Sequence, residues 1–164
     1  MSDPQTWSFL GLPALLWIPL LPLLGSAANL ILGKWFGKPL VTAIAVGSVL
    51  GACALSGVEV FGALFYKASA EAAPLWQTGG ITQTAWSWLD TGTFKAELAF
   101  RLDSLSAVMI MIVTFVGTWI HIYSAGYMAH DKGYARYFGY LNLFTGSMLI
   151  LVLAANMPVM FIGW

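Results

Sequence analysis

The chain is poor in charge. Only 9% of its 164 residues are Asp, Glu, Lys or Arg, against roughly 25% in a soluble domain. So few charges cannot cover a water-facing surface. With 59% hydrophobic residues and a mean hydropathy of +0.80, the sequence predicts an integral membrane protein. Neither sign of charge dominates, since seven basic residues balance seven acidic ones. That argues against nucleic acid as a partner, because binding it needs a basic face to displace counterions from phosphate. Cysteine is nearly absent. The single Cys53 lies inside an apolar run, which excludes a disulfide framework and a cysteine-rich metal site. Histidine is equally scarce. His121 and His130 have a spacing that fits neither a pair on one helix face nor a zinc motif. No nucleophilic triad or phosphate-binding loop is present.

Long apolar runs fill the space that charge leaves. The first covers 7–32. Ser26, Ala27 and Ala28 offer the small residues of a cleavage site, but Asp3 and the lack of any Lys or Arg before the run read as a membrane span instead. Pro13, Pro19 and Pro22 predict kinking, which membrane helices tolerate. A short basic turn follows at 33–39, with Lys34, Trp35, Lys38 and Pro39. The second run, 40–62, is dense in Gly, Ala and Ser, so it is expected to pack closely against partner helices. Glu59 near its far end is expected to be an interfacial, solvated acid, with a functional intramembrane carboxylate as the rival reading.

Residues 66–102 are polar enough to leave the membrane. Between 94 and 102, Phe94, Ala96, Leu98, Phe100 and Leu102 alternate with Lys95, Glu97 and Arg101, the period of a half-buried strand. Thr84, Trp86 and Trp88 repeat at the same spacing upstream, and 90–93 carry a turn signal. The pattern predicts an amphipathic β-hairpin on the membrane surface. The third run, 105–128, follows Asp103, which is placed to cap a helix. A connector at 130–136 leads to the fourth run, 137–155, long enough to cross a ~30 Å hydrocarbon core at ~1.5 Å per residue. Tyr123, Tyr127, Tyr134, Tyr137 and Tyr140 are expected to form an aromatic belt. Asn156 and Pro158 break the apolar sequence, and Met157 opens a further segment that stops at Trp164 without cap or anchor. A lipid-buried terminus is costly, so the chain is expected to be the N-terminal piece of a longer protein.

Lys34, Lys38, Lys132 and Arg136 fall in two short connectors. The positive-inside rule puts these in the cytoplasm, with the N-terminus and the 66–102 loop outside. Within the spans, His121 is the candidate proton relay, set against an interfacial histidine bonded to a carbonyl or water. Asn142 and Thr145 share a face of the fourth helix and are expected to serve packing, with a water path as the alternative.

Several stretches go beyond pattern. FRLDSLSA at 100–107, VTFVGTWIHIYSAGYM at 113–128, GYARYFGYLNLF at 133–144, SMLILVLA at 147–154 and FIGW at 161–164 resemble the N-terminal region of chain 5 of respiratory NADH:quinone oxidoreductase, complex I, the subunit L type of bacteria. The resemblance is close over 100–164. Residues 7–65 share only a two-helix layout, and Pro74, Leu75 and Trp76 ahead of the hairpin resemble the family's periplasmic segment. The large subunit of multi-subunit Na⁺/H⁺ antiporters and a membrane subunit of inorganic-carbon uptake systems are also similar.

The resemblance implies an all-α membrane protein of four complete transmembrane helices, a truncated fifth and an external β-hairpin. It divides the chain into 1–65 (two helices), 66–102 (extracytoplasmic loop) and 103–164 (the chain 5-like region). It implies a proton-translocating, antiporter-like subunit of an NADH:quinone oxidoreductase in the bacterial inner membrane. No redox chemistry and no bound cofactor is expected in this chain, while NADH and quinone are used by the assembly. The expected partners are other membrane subunits of complex I and the lipid bilayer. Proton-pathway candidates are His121, Asp103 and Asn142. In the family, the FIGW motif precedes a glutamate central to proton transfer. Where members often carry Leu-Ala-Asp-Asn, this chain has Leu153, Ala154, Ala155 and Asn156, a change expected to fall in a simple loop. A small structural or assembly protein of the membrane is the alternative from another class.

Overall fold

A computed structural model describes residues 8–9, 12–68, 80–90 and 95–164, with side chains placed for 13–62, 80–87 and 97–164. A minimal pairing of β1 (Ser8–Phe9) with β2 (Leu12–Pro13) precedes α1 (Ala14–Leu32). Then come α2 (Lys38–Ala68), β3 (Ile81–Asp90), β4 (Lys95–Leu102), α3 (Ser104–Tyr127), α4 (Tyr134–Leu153) and a short α5 (Met157–Gly163). The first four helices are long and apolar enough to cross a membrane. The expected all-α membrane architecture with a two-stranded antiparallel hairpin is therefore present. The turn residues 91–93, Trp88's side chain and 74–76 lie outside the described residues.

Three boundaries differ from the sequence reading. Helix α1 begins at Ala14, and Pro19 and Pro22 lie inside it without ending it. Helix α2 continues to Ala68, so Glu59 sits more than two turns inside the helix and is only 7% exposed. The solvated acid expected there is corrected, since Glu59 is buried within the lengthened helix. Helix α4 starts at Tyr134 instead of 137. Its first turn carries Tyr134 and Tyr137 inward, where their hydroxyls bond Thr42 Oγ1 at 2.6 Å and Ser124 Oγ at 3.0 Å. Only Tyr123, Tyr127 and Tyr140 remain as an exposed belt.

The hairpin closes one end of the bundle. Ile81, Phe100 and Leu102 join Leu15, Ile18, Val60, Ile110, Leu149 and Leu153 in one apolar cluster. Strand β3 presents Ile81 and Gln83 to this cluster and leaves Thr82, Thr84 and Trp86 exposed. Two irregularities in register, between Thr84 and Trp86 and between Ser87 and Leu89, break the simple period of two. Gln83 Oε1 accepts from the Leu15 N–H at 3.0 Å, satisfying a first-turn donor that the N-cap Pro13 cannot serve. The α4–α5 turn docks on β4: Ala155 N–H donates to Ala99 O at 3.0 Å and Asn156 Nδ2 to Glu97 O at 2.6 Å. Ala155 thus stands in a loop, as expected, and that loop is tied to the hairpin.

A second apolar cluster, Val41, Ala45, Tyr134 and Phe138, fills the other end of the bundle. Counting along the helices, a polar layer separates the two clusters. It contains Ser48 on α2, Thr114, Thr118 and His121 on α3, and Asn142 and Thr145 on α4. The outward faces are the reverse, with Ile112, Phe115, Trp119 and Phe144 exposed. A polar interior under an apolar surface is what lipid as solvent allows.

Candidate functional site

The polar layer meets at His121. This residue is 1% exposed and Asn142 is fully buried. His121 Nδ1 lies 2.7 Å from Gly117 O, one turn back on α3, and Nε2 lies 2.7 Å from Asn142 Oδ1 on α4. The Asn142 amide nitrogen donates to Ser48 Oγ on α2 at 3.0 Å, and Ser48 donates to Ala45 O at 2.9 Å. One continuous hydrogen-bond chain thus joins α3, α4 and α2. The first helix contributes by what it lacks. A Cβ at Gly25 would collide with Ser48 Oγ and come within 2.6 Å of Asn142 Nδ2, so only glycine there leaves room for their bond.

The donors and acceptors of this chain can be counted. A carbonyl only accepts, so Nδ1 must carry a proton for Gly117. The Asn142 oxygen also only accepts, so an oxygen turned toward Nε2 is matched by a ring that donates from both nitrogens, the imidazolium form. A neutral ring is satisfied by a different arrangement. The amide turns over, its nitrogen donates to Nε2, its oxygen faces Ser48, and the Ser48 hydroxyl swings from Ala45 O to Asn142. Amide oxygen and nitrogen have the same shape, so the same positions serve both states. Protonation of His121 is therefore linked to the orientation of Asn142 and the direction of the Ser48 hydroxyl.

The other sequence candidates fall elsewhere. Thr145 bonds back to Leu141 O at 2.9 Å and takes no part in the chain. Asp103 stands at the opposite end of α3, about 27 Å along the axis from His121 at the helical rise. Its Oδ1 accepts from the Ser106 N–H at 2.7 Å, while its own N–H donates to Ser106 Oγ at 2.7 Å. This is a capping box. The Ser106 backbone bond is the main reason that the Asp103 carboxyl is held below its ordinary range. The structure thus unites His121 and Asn142 and leaves Asp103 apart. The sequence reading missed Ser48 and Gly25, which were absorbed into a general small-residue pattern. A polar residue at mid-span among glycines was the available signal. Among the described residues, no three His, Cys, Asp or Glu side chains converge as a metal site.

Comparison with known proteins places these residues in context. Residues 88–138 match the family model described as NADH-Ubiquinone oxidoreductase (complex I), chain 5 N-terminus. Subunit L of NADH-quinone oxidoreductase from Escherichia coli (strain K12) is 39% identical over 132 residues, covering 80% of this chain and 20% of that protein. The chloroplastic NAD(P)H-quinone oxidoreductase subunit 5 of Cryptomeria japonica is 47% identical over 88 residues, 53% of this chain and 12% of its own length. The subunit L of Buchnera aphidicola subsp. Acyrthosiphon pisum (strain APS) is 47% identical over 84 residues, 51% of this chain and 14% of its own. The chain therefore spans a fifth or less of the length of these relatives. The 132 matched residues also reach well back before residue 100, so similarity extends beyond the segment in which the sequence reading found it close.

Proposed function

We propose that this chain, which carries the N-terminal region of the complex I chain 5 and subunit L family, contributes to proton translocation in a membrane-embedded quinone oxidoreductase. The observation that carries this reading is the buried His121–Asn142–Ser48 chain. A titratable ring inside a span is costly unless its hydrogen bonds are met, and such groups mark proton paths. Here one proton on His121 reverses a chain that crosses three helices. His121 is the relay, Asn142 reads its charge, and Ser48 passes the change to α2. Asp103 is assigned a capping part instead.

The names of the relatives support an oxidoreductase over an ion antiporter or a carbon-uptake system, since those compared are all named as quinone oxidoreductase subunits. NADH and quinone are then used by the assembly, and the other membrane subunits of that assembly are the partners. The orientation follows from Lys34, Lys38, Lys132 and Arg136, which line one cavity at the end opposite the hairpin. We place that end in the cytoplasm of a bacterial cell. A reporter fused at Gly79 is expected to be active only outside, and cytoplasmic activity would reverse the assignment.

The decisive measurement uses the complete protein in its assembly, reconstituted in vesicles. His121→Gln is expected to lower NADH-driven proton uptake on the order of a hundredfold, the lower end of what a positioned proton-transfer group contributes. Electron entry to a soluble acceptor should be unchanged. Unaltered proton uptake in both His121→Gln and Asn142→Leu would remove the relay.

A further inference from the structure

The cytoplasm-facing end of the proposed orientation holds a cavity of about 590 Å³ between the α1–α2 and α3–α4 connectors. Lys34, Lys38, Lys132 and Arg136 line it, against one carboxylate, Asp131. That carboxylate is turned into its own loop, where it accepts from the Gly133 N–H. The first turn of α4, residues 134–136, also lines the cavity, and helix geometry leaves its N–H groups without intrahelical partners. This environment suits an anion with several oxygens, and a phosphodiester matches it in charge and acceptor count.

Two independent features specify the ligand further. Asn29 lines the cavity and is 1% exposed. Its Nδ2 is directed at Val41 O at 3.4 Å, and a carbonyl can only accept, so Oδ1 is left facing away. Among the described residues Oδ1 is the one fully buried side-chain polar atom without a hydrogen-bond partner. It requires a donor, and four cations repel an ammonium, so a neutral hydroxyl is the donor that fits. Beside this cavity runs an apolar groove of about 650 Å³ that shares Lys38 and Tyr134 with it. Val46, Ile122 and Ala125 line it, so it descends between α2 and α3 along the lipid-facing surface. Lys38 is held at the junction, where its Nζ donates to Ala129 O at 2.6 Å.

We propose that cavity and groove together bind one anionic phospholipid with a hydroxyl-bearing glycerol headgroup. The phosphodiester sits among Lys34, Lys132 and Arg136, a headgroup hydroxyl donates to Asn29 Oδ1, and an acyl chain lies in the groove past Tyr134. Basic pockets between membrane helices are the setting in which such headgroups are held. The lipid bridges the two connectors and so fixes the packing of α1–α2 on α3–α4 beside the His121 layer. This inference needs the chain to sit in a membrane and is independent of its role in proton transfer.

The test is native mass spectrometry of the complete protein extracted from vesicles mixed from phosphatidylglycerol, phosphatidylmethanol and phosphatidylcholine. One retained phosphatidylglycerol, favoured over both others and not displaced by inorganic phosphate, is the expected result. Equal retention of phosphatidylcholine overturns the site. Equal retention of phosphatidylmethanol, which has the charge without the hydroxyls, overturns the role of Asn29. Displacement by inorganic phosphate means that the site takes a free anion and not a lipid. In the Lys132→Gln/Arg136→Gln double variant, both positions being exposed, retention should fall about 25-fold, from roughly fivefold for each basic residue near a headgroup. Unchanged retention in a variant of unchanged helicity overturns the proposal, and should that variant misfold, the lipid competition on the unaltered protein decides alone.

Discussion

At Gly25 a missing side chain leaves space for two polar atoms of other helices. Adding a methyl group would force apart Ser48 and Asn142, the latter only 2.6 Å from the added carbon. Gly25→Ala is therefore expected to destabilise the bundle by about 1–3 kcal/mol, the usual cost of overpacking a filled core. Ser48→Gly in the same background should recover part of that loss, because it removes two of the three atoms in collision and leaves Asn142 Nδ2. Unfolding of the two single variants and the double variant in mixed micelles gives the coupling directly. His121 and Asn142 form a second pair of this kind. His121→Leu leaves the Asn142 amide buried with an unmet group, at about 1–3 kcal/mol, whereas replacing both by Leu should cost less than the two changes summed. His121 and Asn142 were legible in the sequence as single polar residues within apolar runs. Their pairing was not, because residues 21 positions apart on two helices have no fixed relation until the helices pack. Ser48 and Gly25 were hidden for a further reason: small residues on a membrane helix usually signal packing alone.

At the scale of elements, α3 depends on its first turn. The Asp103 carboxylate accepts from the Ser106 N–H, and this bond depresses its titration. A depressed carboxyl stabilises the fold fully above its unfolded value, about 3.9, and that stability is lost as pH falls through the lower folded value. Asp103→Asn keeps a neutral cap, so its stability should lack the acid step that the unaltered chain shows below about pH 4. Asp103→Ala should cost about 1 kcal/mol at neutral pH. Denaturant titrations at both pH values separate the two effects. The cap was readable because its signal is local, an Asp immediately before an apolar run. The hairpin was readable for the same reason, including the inward face of β4 with Phe100 and Leu102, but the inward turn of Gln83 on β3 was not. Gln83 points inward because the start of α1 leaves the Leu15 N–H without a cap, a demand that arises only from tertiary packing. Burial of Glu59 was likewise hidden, since a helix that passes the end of its apolar run gives no signal in hydropathy.

Over the whole molecule, polarity is turned inside out in the middle and conventional at the ends. The His121 layer lies at the level where α3 exposes Phe115, Val116 and Trp119. Apolar clusters close the interior above and below it, one under the hairpin and one beside the basic connectors. His121 is thus flanked by apolar side chains toward both ends of the described bundle, so in the proposed relay its proton exchanges only when a helix moves. This arrangement makes the exposed face of α3 a lipid or subunit contact and not a water-filled wall. Val116, near the middle of α3 and 47% exposed, tests that directly. Val116→Arg should raise the free energy of membrane insertion by about 3 kcal/mol, the cost of a cation at a helix centre. Insertion measured with glycosylation reporters flanking α3 in the whole chain supplies the number. A cost near zero would mean that the face borders water, and the His121 layer would then have an opening on that side.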